Sequence, residues 1–335
     1  MVRGLTGRFG QARHARVALQ ILACLVPATL AAVEASRPGT IVGIDTLSFV
    51  QAGHTLLSSH WSRAFSASSI QVGPLQLALY GSVGRSLEAL AVVLATATAL
   101  LVVATTRAVG VKNPALLGAA GLLAVGGGLT SAAYSAGHPA DTLIPLFWIL
   151  AAADARRGHT LRAGLVIGLC AGLETWAILG VAVLALSARG RDARRGTLVA
   201  AAVASALFLP FVVGGHFAML AYQWHVRPPS PMSLLVPDGT TFGWPLRLAQ
   251  GVIAVTAGVA VVWLLRHSPH ALWAAPLAIV VARLQFDPLL FMYYLAAPQG
   301  PILVGAMLGA SRLRLLRTLS WGGITKKAPA WQGLR

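Results

Sequence analysis

Charge is what this sequence has least of. Of its 335 residues only 10% are Asp, Glu, Lys or Arg, while 56% are hydrophobic. Soluble domains carry about 25% charged residues, so a chain this long has too little polar surface to cover a water-soluble globule. Most of its solvent must be lipid. Acidic residues are scarcest, nine against 26 Lys and Arg, for a formal net charge of +17. Such an excess elsewhere points to nucleic acid, but here the basic residues stand in short clusters between apolar runs and no basic stretch is interleaved with aromatics. A nucleic-acid partner is therefore not expected. Cysteine is nearly absent as well. Cys24 and Cys170 each lie inside an apolar run, which excludes a disulfide framework and a paired-cysteine metal site.

What the chain does have is apolar runs of spanning length, about 20 residues for a bilayer core. Spans are predicted from Val17 to Val33, from beyond Gly73 to Thr106, from Pro114 to Tyr134, from beyond Pro139 to Ala153, from Thr197 to Val213, from Leu248 to Leu265, from Ala271 to Leu284 and from Leu289 to Ala310. The run from Ala163 to Ala188 is about as long as one span, yet arginines flank both ends, Arg156, Arg157 and Arg162 before it and Arg189, Arg191, Arg194 and Arg195 after it. Two such clusters on one side of a membrane require the chain to turn back. Gly172-Leu173-Glu174-Thr175 at the midpoint predicts two short helices meeting there, with irregular backbone shielded by protein or lining a cavity. Gly164, Gly168 and Gly172 recur every fourth residue and predict close helix packing. The fold class expected is all-α, a polytopic transmembrane bundle of about ten helices with a broken-helix hairpin and a long first non-cytoplasmic loop.

Residues 1–16 read as a basic cytoplasmic leader, 17–311 as the transmembrane domain and 312–335 as a basic cytoplasmic tail. A basic leader before an apolar run also fits a cleavable signal peptide; an uncleaved anchor is preferred, because later spans need a first helix to pack against. In this topology 20 of the 26 basic residues are cytoplasmic, and Arg37, Arg63, Arg85, Arg227, Arg247 and Arg283 are not. That bias places both termini inside.

The acids are biased the other way. Only Asp154 and Asp192 lie among the cytoplasmic clusters, whereas Glu34, Asp45, Glu88, Asp141, Glu174, Asp238 and Asp287 lie outside or in the outer half of the membrane. Orientation hardly depends on acids, and ionisable groups at membrane depth usually face a pathway or a site. Two long outer loops accompany them. Residues 34–73 hold Asp45 and then His54, His60, Trp61 and Arg63 on a stretch suited to an interfacial helix. Residues 214–247, with Trp224, His225, Asp238 and Trp244, read as a passive cover with aromatics at headgroup level.

Each acid also has an ordinary reading. Asp45 caps a short helix; His138 and Asp141 cap the fourth span; Glu174 satisfies backbone N–H groups at the helix break; Asp287 pairs with Arg283 one turn earlier. Tyr293 and Tyr294 belong to an aromatic belt. His54, His60, His216 and His225 share no ligand spacing, so no metal ligand is assigned.

The run Gly137-His138-Pro139-Ala140-Asp141, a following apolar helix, Arg156-Arg157-Gly158, and then Ala163-Gly164-Leu165 through Glu174-Thr175-Trp176-Ala177 resembles the middle of GT-C superfamily membrane glycosyltransferases. It is most similar to bacterial polyprenol-phosphate-mannose-dependent α-mannosyltransferases, the glycosyltransferase family 87 type. Asp45 in the first outer loop and Asp287-Pro288 followed by Tyr293, Tyr294 and Pro298 extend the likeness to the last span. The resemblance implies a bacterial plasma-membrane enzyme that moves a hexose from a polyprenyl-phosphate donor to a glycan or glycolipid acceptor, with inversion and with Asp45 as general base. It implies substrate contacts at His138, Asp141, Glu174, Arg63, Arg283, Asp287 and Tyr293. Arginines suit the departing phosphate, and Arg85 and Arg247 are further candidates. No resident cofactor is implied, and a divalent metal is left open. The chain departs from the family pattern at Glu174, where relatives often carry a basic or amide residue, and at Ala140, where they often carry a second acid. A transporter, or an inactive relative with a scaffold role, is the alternative.

Overall fold

The computed structural model describes residues 3–37 and 43–324. The tail beyond residue 324 lies outside them, as do the side chains of residues 3–13 in the leader. The described residues are all-α apart from one two-residue antiparallel ladder, Trp224–His225 against Thr241–Phe242. Among the described residues four helices are long and apolar enough to cross a membrane, the stretch His14–Ala35 of α1 (Arg3–Ala35), α4 (Leu87–Ala108), α9 (Gly190–Val213) and α10 (Trp244–Leu265). A fifth candidate is the pair α5 (Pro114–Gly126) and α6 (Leu129–Ser135), bent by 45°. Leu19, Leu25, Leu198, Val213, Val252 and Trp263 stand largely uncovered on α1, α9 and α10, as lipid-facing side chains do and as those of a soluble protein do not.

Two predicted spans are broken. The run from Gly73 to Thr106 divides into α3 (Pro74–Val83) and α4, because Ser86 adopts an extended conformation and its side chain accepts the Ala89 N–H at 3.1 Å, a helix N-cap. The run from Pro114 to Tyr134 bends at Gly127-Gly128, where Gly128 takes φ +79°, a left-handed conformation easy only for glycine. Between α1 and α3, Ile44–Leu56 forms α2.

The break near Glu174 lies where the arginine clusters require it. α7 (Pro139–Arg156) leads to α8 (Thr160–Ala171), and a 3-10 helix follows over Thr175–Leu186. At about 2.0 Å per residue, against 1.5 Å in an α-helix, those twelve residues reach about 24 Å, most of a bilayer core. The exposed carbonyls of the break are taken by the N-terminus of α3. Gly73 N–H donates to Leu173 at 2.6 Å, and the Leu75 and Gln76 N–H groups donate to Gly172 at 2.7 and 3.2 Å. Backbone at membrane depth is tolerated when its polar groups are satisfied in this way.

The glycine stripe does what its spacing suggests. A Cβ on Gly164 would collide with the Gly196 carbonyl of α9, and one on Gly168 would come within 2.8 Å of the Ala200 carbonyl. α11 (Ala271–Gln285), a 3-10 turn (Met292–Leu295) and α12 (Ala296–Ile324) complete the chain. Residues 3–16 of the leader and 312–324 of the tail are continuous with α1 and α12.

The bundle has two chemically different ends. At one, Arg156 donates to the Arg266 and Ser268 carbonyls at 3.0 and 2.7 Å, Arg157 donates to Ala108 at 2.8 Å, and Arg162 pairs with Asp154 at 2.8 Å. These arginines satisfy the carbonyl ends of α4 and α10. At the other end of α7, about 27 Å away by its 18 residues, lie the carboxylates.

Candidate functional site

Three distant segments meet at His138. Gly137 precedes it with φ +79° and lies against Thr46, leaving no room for a side chain. The Gly137 carbonyl accepts from Tyr80 Oη at 2.9 Å and from Gln76 Nε2 at 3.1 Å. α3 therefore holds the turn that aims the imidazole. The ring stacks on Tyr293 at 5.0 Å and 1°, with Phe49 edge-on at 5.3 Å. Its Nε2 lies 3.3 Å from Asp45 Oδ2 and its Nδ1 lies 3.0 Å from Glu174 Oε1. Ionised carboxylates only accept hydrogen bonds, so both ring nitrogens donate and the imidazole carries a charge. Burial opposes that charge, but the bonds to Asp45 and Glu174 outweigh it and raise the His138 pKa to about 10. The same bond holds the Asp45 carboxyl below its ordinary value.

Several ordinary readings fail here. The cap of α2 is Gly43, and Asp45, 51% exposed, turns to His138 instead of capping. Neither His138 nor Asp141 caps α7 through its side chain. Glu174 does not serve the backbone of the break either, since its Oε2 accepts from Trp176 Nε1 at 2.6 Å and its Oε1 faces His138.

A second cluster adjoins the first. Asp287 pairs with Arg283 at 3.7 Å, one turn earlier as expected, and also with Arg247 at 3.3 Å. Arg283 additionally faces Asp141 at 3.7 Å and lies over the Trp176 ring at 4.3 Å. Arg247 lies over Trp224 at 4.1 Å and donates to Gln250 at 3.0 Å. Asp141, Arg283 and Asp287 are all buried. Arg247 Nε and Arg283 Nη1 are buried donors with no hydrogen-bond acceptor among the described residues.

Both clusters border a cavity of about 720 Å³. His138, Glu174, Arg247, Gln250, Arg283 and Tyr294 form its polar end, and Leu179, Leu248, Val252, Val255, Phe208 and Phe217 form an apolar limb between α9, α10 and the 3-10 helix. Leu248, Val252 and Val255 recur at helical spacing along α10, and because Leu248 and Val252 are themselves largely uncovered, the limb opens along this helix.

Of the residues singled out from sequence, His138, Glu174, Arg247 and Arg283 line the cavity. Asp45, Asp141, Asp287 and Tyr293 touch those that do. Arg63 is exposed in a 3-10 turn, away from both clusters, and Arg85 is exposed at the α3–α4 junction. The outer loop 214–247 is more than a passive cover, because Trp224 and Trp244 line the cavity. Tyr293 and Tyr294 likewise belong to the site and not to a belt. Trp176 was part of the run that carried the resemblance but had no role of its own, and Gln250 was not singled out, although a glutamine inside the apolar α10 is conspicuous. No family model, no curated protein and no solved structure matches the chain.

Proposed function

We propose that this chain is a polytopic bacterial membrane glycosyltransferase, a bundle of about ten helices with both termini cytoplasmic, that moves a hexose from a polyprenyl-phosphate donor to a glycan or glycolipid acceptor on the non-cytoplasmic face. One observation carries the reading: of the set Asp45, His138 and Glu174, joined from far apart in sequence, the last two meet Arg247 and Arg283 at the polar end of a largely apolar cavity. A lipid phosphate has that same division of polarity. Its chain fits along Leu248, Val252 and Val255, and its phosphate fits the unfilled donors of Arg247 and Arg283.

Asp45 is exposed, bonds His138 and is not among the residues that line the cavity. An acceptor hydroxyl reaches Asp45 from outside while the donor enters along the cavity. The carboxylate takes the hydroxyl proton as oxygen attacks the anomeric carbon, the bond to the phosphate oxygen breaks, and the arginines receive the charge of the leaving polyprenyl phosphate. Opposed entry of acceptor and departure of phosphate gives inversion.

Membranes containing the wild-type chain are expected to transfer labelled mannose from polyprenyl-phosphate mannose, and Asp45→Asn to reduce transfer by 100-fold or more at unchanged expression, since general base catalysis contributes about 10²–10⁴-fold. Full activity in Asp45→Asn removes the base from the mechanism. The two helix breaks, at Gly127-Gly128 and at residues 172–174, favour transport as the second reading, because paired breaks mark many transporter sites. Substrate flux in proteoliposomes without sugar transfer would establish it.

A further inference from the structure

We infer that His138 Nδ1 and the carboxylates of Asp141 and Glu174 form a binding site for a divalent first-row transition ion, with Mn2+ and Zn2+ the best matches. The inference goes beyond the proposed reaction and stands whether or not a sugar is transferred. Each of the three residues offers a donor atom, and these atoms all lie within 4.8 Å of one another. Donors bound to one such ion at about 2.0–2.2 Å sit about 3–3.5 Å apart, so side-chain rotations of about 1 Å close the set.

Asp141 supplies an independent indication. It is 2% exposed, and neither of its carboxylate oxygens has a hydrogen-bond partner. Its nearest cation, Arg283 Nη1, is 3.7 Å from Oδ1, beyond hydrogen-bond range. A buried carboxylate left in this way is costly unless something ligates it.

The charge of the neighbourhood points the same way. Asp45, Asp141, Glu174 and Asp287 face Arg247, Arg283 and the charged His138, a formal excess of one negative charge, which a divalent ion that replaces the Nδ1 proton cancels. The surroundings also suit a ligand set. With the ion on Nδ1, His138 keeps Nε2–H pointed at Asp45, the carboxylate–histidine–metal arrangement that fixes ring and tautomer. Trp176 Nε1 holds the second oxygen of Glu174, and Tyr293 and Phe49 clamp the imidazole. Because His138 and Glu174 line the cavity, three protein ligands leave coordination positions open toward it. Imidazole with two carboxylates and no thiolate suits Mn2+ or Zn2+ better than thiolate-seeking Cu+.

The test uses full-length protein in detergent, purified without a polyhistidine tag and stripped with chelator. Mn2+ titration followed by electron paramagnetic resonance is expected to show one bound ion per chain, with nitrogen modulation from one imidazole in pulsed spectra. His138→Gln, Asp141→Asn and Glu174→Gln are each expected to weaken binding by 10-fold or more, and Asp45→Asn by about 10-fold as an outer-shell loss. Asp154→Asn, at the arginine-rich end, is expected to leave it unchanged. Absence of stoichiometric binding, a bound ion without nitrogen modulation, or affinity retained in the His138 and Glu174 variants would overturn the site and leave an adventitious ion only. Should a variant fail to fold, the nitrogen signal of the wild-type protein decides alone.

Discussion

At the scale of the residue, the site depends on a few backbone and charge placements with no slack. Gly137 has φ +79° and its missing Cβ would come within 2.7 Å of Thr46 Oγ1, so Gly137→Ala should cost about 1–3 kcal/mol through backbone strain and displace His138. A lowered melting temperature in detergent, together with loss of transfer activity, checks it. Arg283 is the shared partner of two buried carboxylates. Arg283→Met leaves Asp141 uncompensated and Asp287 with Arg247 alone, and thermal unfolding should register a loss of about 3–5 kcal/mol, whereas removal of the exposed Arg63 should leave the melting temperature within error. These roles were only partly legible in the sequence. That several of the sparse acids gather at one end followed from their scarcity and their bias to one side of the predicted topology. That Asp45 and Glu174 share one imidazole did not, because positions 45, 138 and 174 are joined only by the packing of α2, α3 and the broken helix. Arg63 and Arg283 looked equivalent as outer arginines, and burial alone separates them.

Among the elements, the sequence was most readable where two signals coincided. The break at residues 172–174 followed from arginine clusters flanking a run one span long, and the Gly164 and Gly168 stripe located the contact with α9. The breaks at Ser86 and at Gly127-Gly128 went unread because hydrophobicity runs through them, although an N-capping serine and three consecutive glycines were there to be weighed. The packing makes opposite predictions for glycines of similar appearance. Gly168→Val would drive a side chain into the Ala200 carbonyl and Val203 of α9, and overpacking of this kind costs about 1–3 kcal/mol. Gly309, inside α12, has nothing near its missing Cβ, and Gly309→Ala should stabilise the helix by about 0.5–1 kcal/mol. Paired melting curves of the two variants separate tight packing from mere glycine content.

For the whole molecule, the account rests on two unlike ends, arginines over helix carbonyls at one and carboxylates with Arg247 and Arg283 at the other, where a cavity with an apolar limb opens along α10. Lipid solvation was legible from composition alone, and the uncovered faces of α1, α9 and α10 agree with it. The cavity was not legible, since it is lined by residues of α9, α10, the 3-10 helix and the 214–247 loop that no local pattern links. If the two ends face opposite sides of the membrane, single cysteines at Ser187 and at Asp238, in a background lacking Cys24 and Cys170, should react with an impermeant maleimide from opposite sides. The most direct test of the central claim is an electron cryomicroscopy structure of the protein with bound polyprenyl phosphate. The account predicts phosphate density within hydrogen-bond reach of Arg247 and Arg283, with the lipid chain running along Leu248, Val252 and Val255. Phosphate bound instead at the arginine-rich end beside Arg156 and Arg162, with the cavity free of lipid, would contradict it.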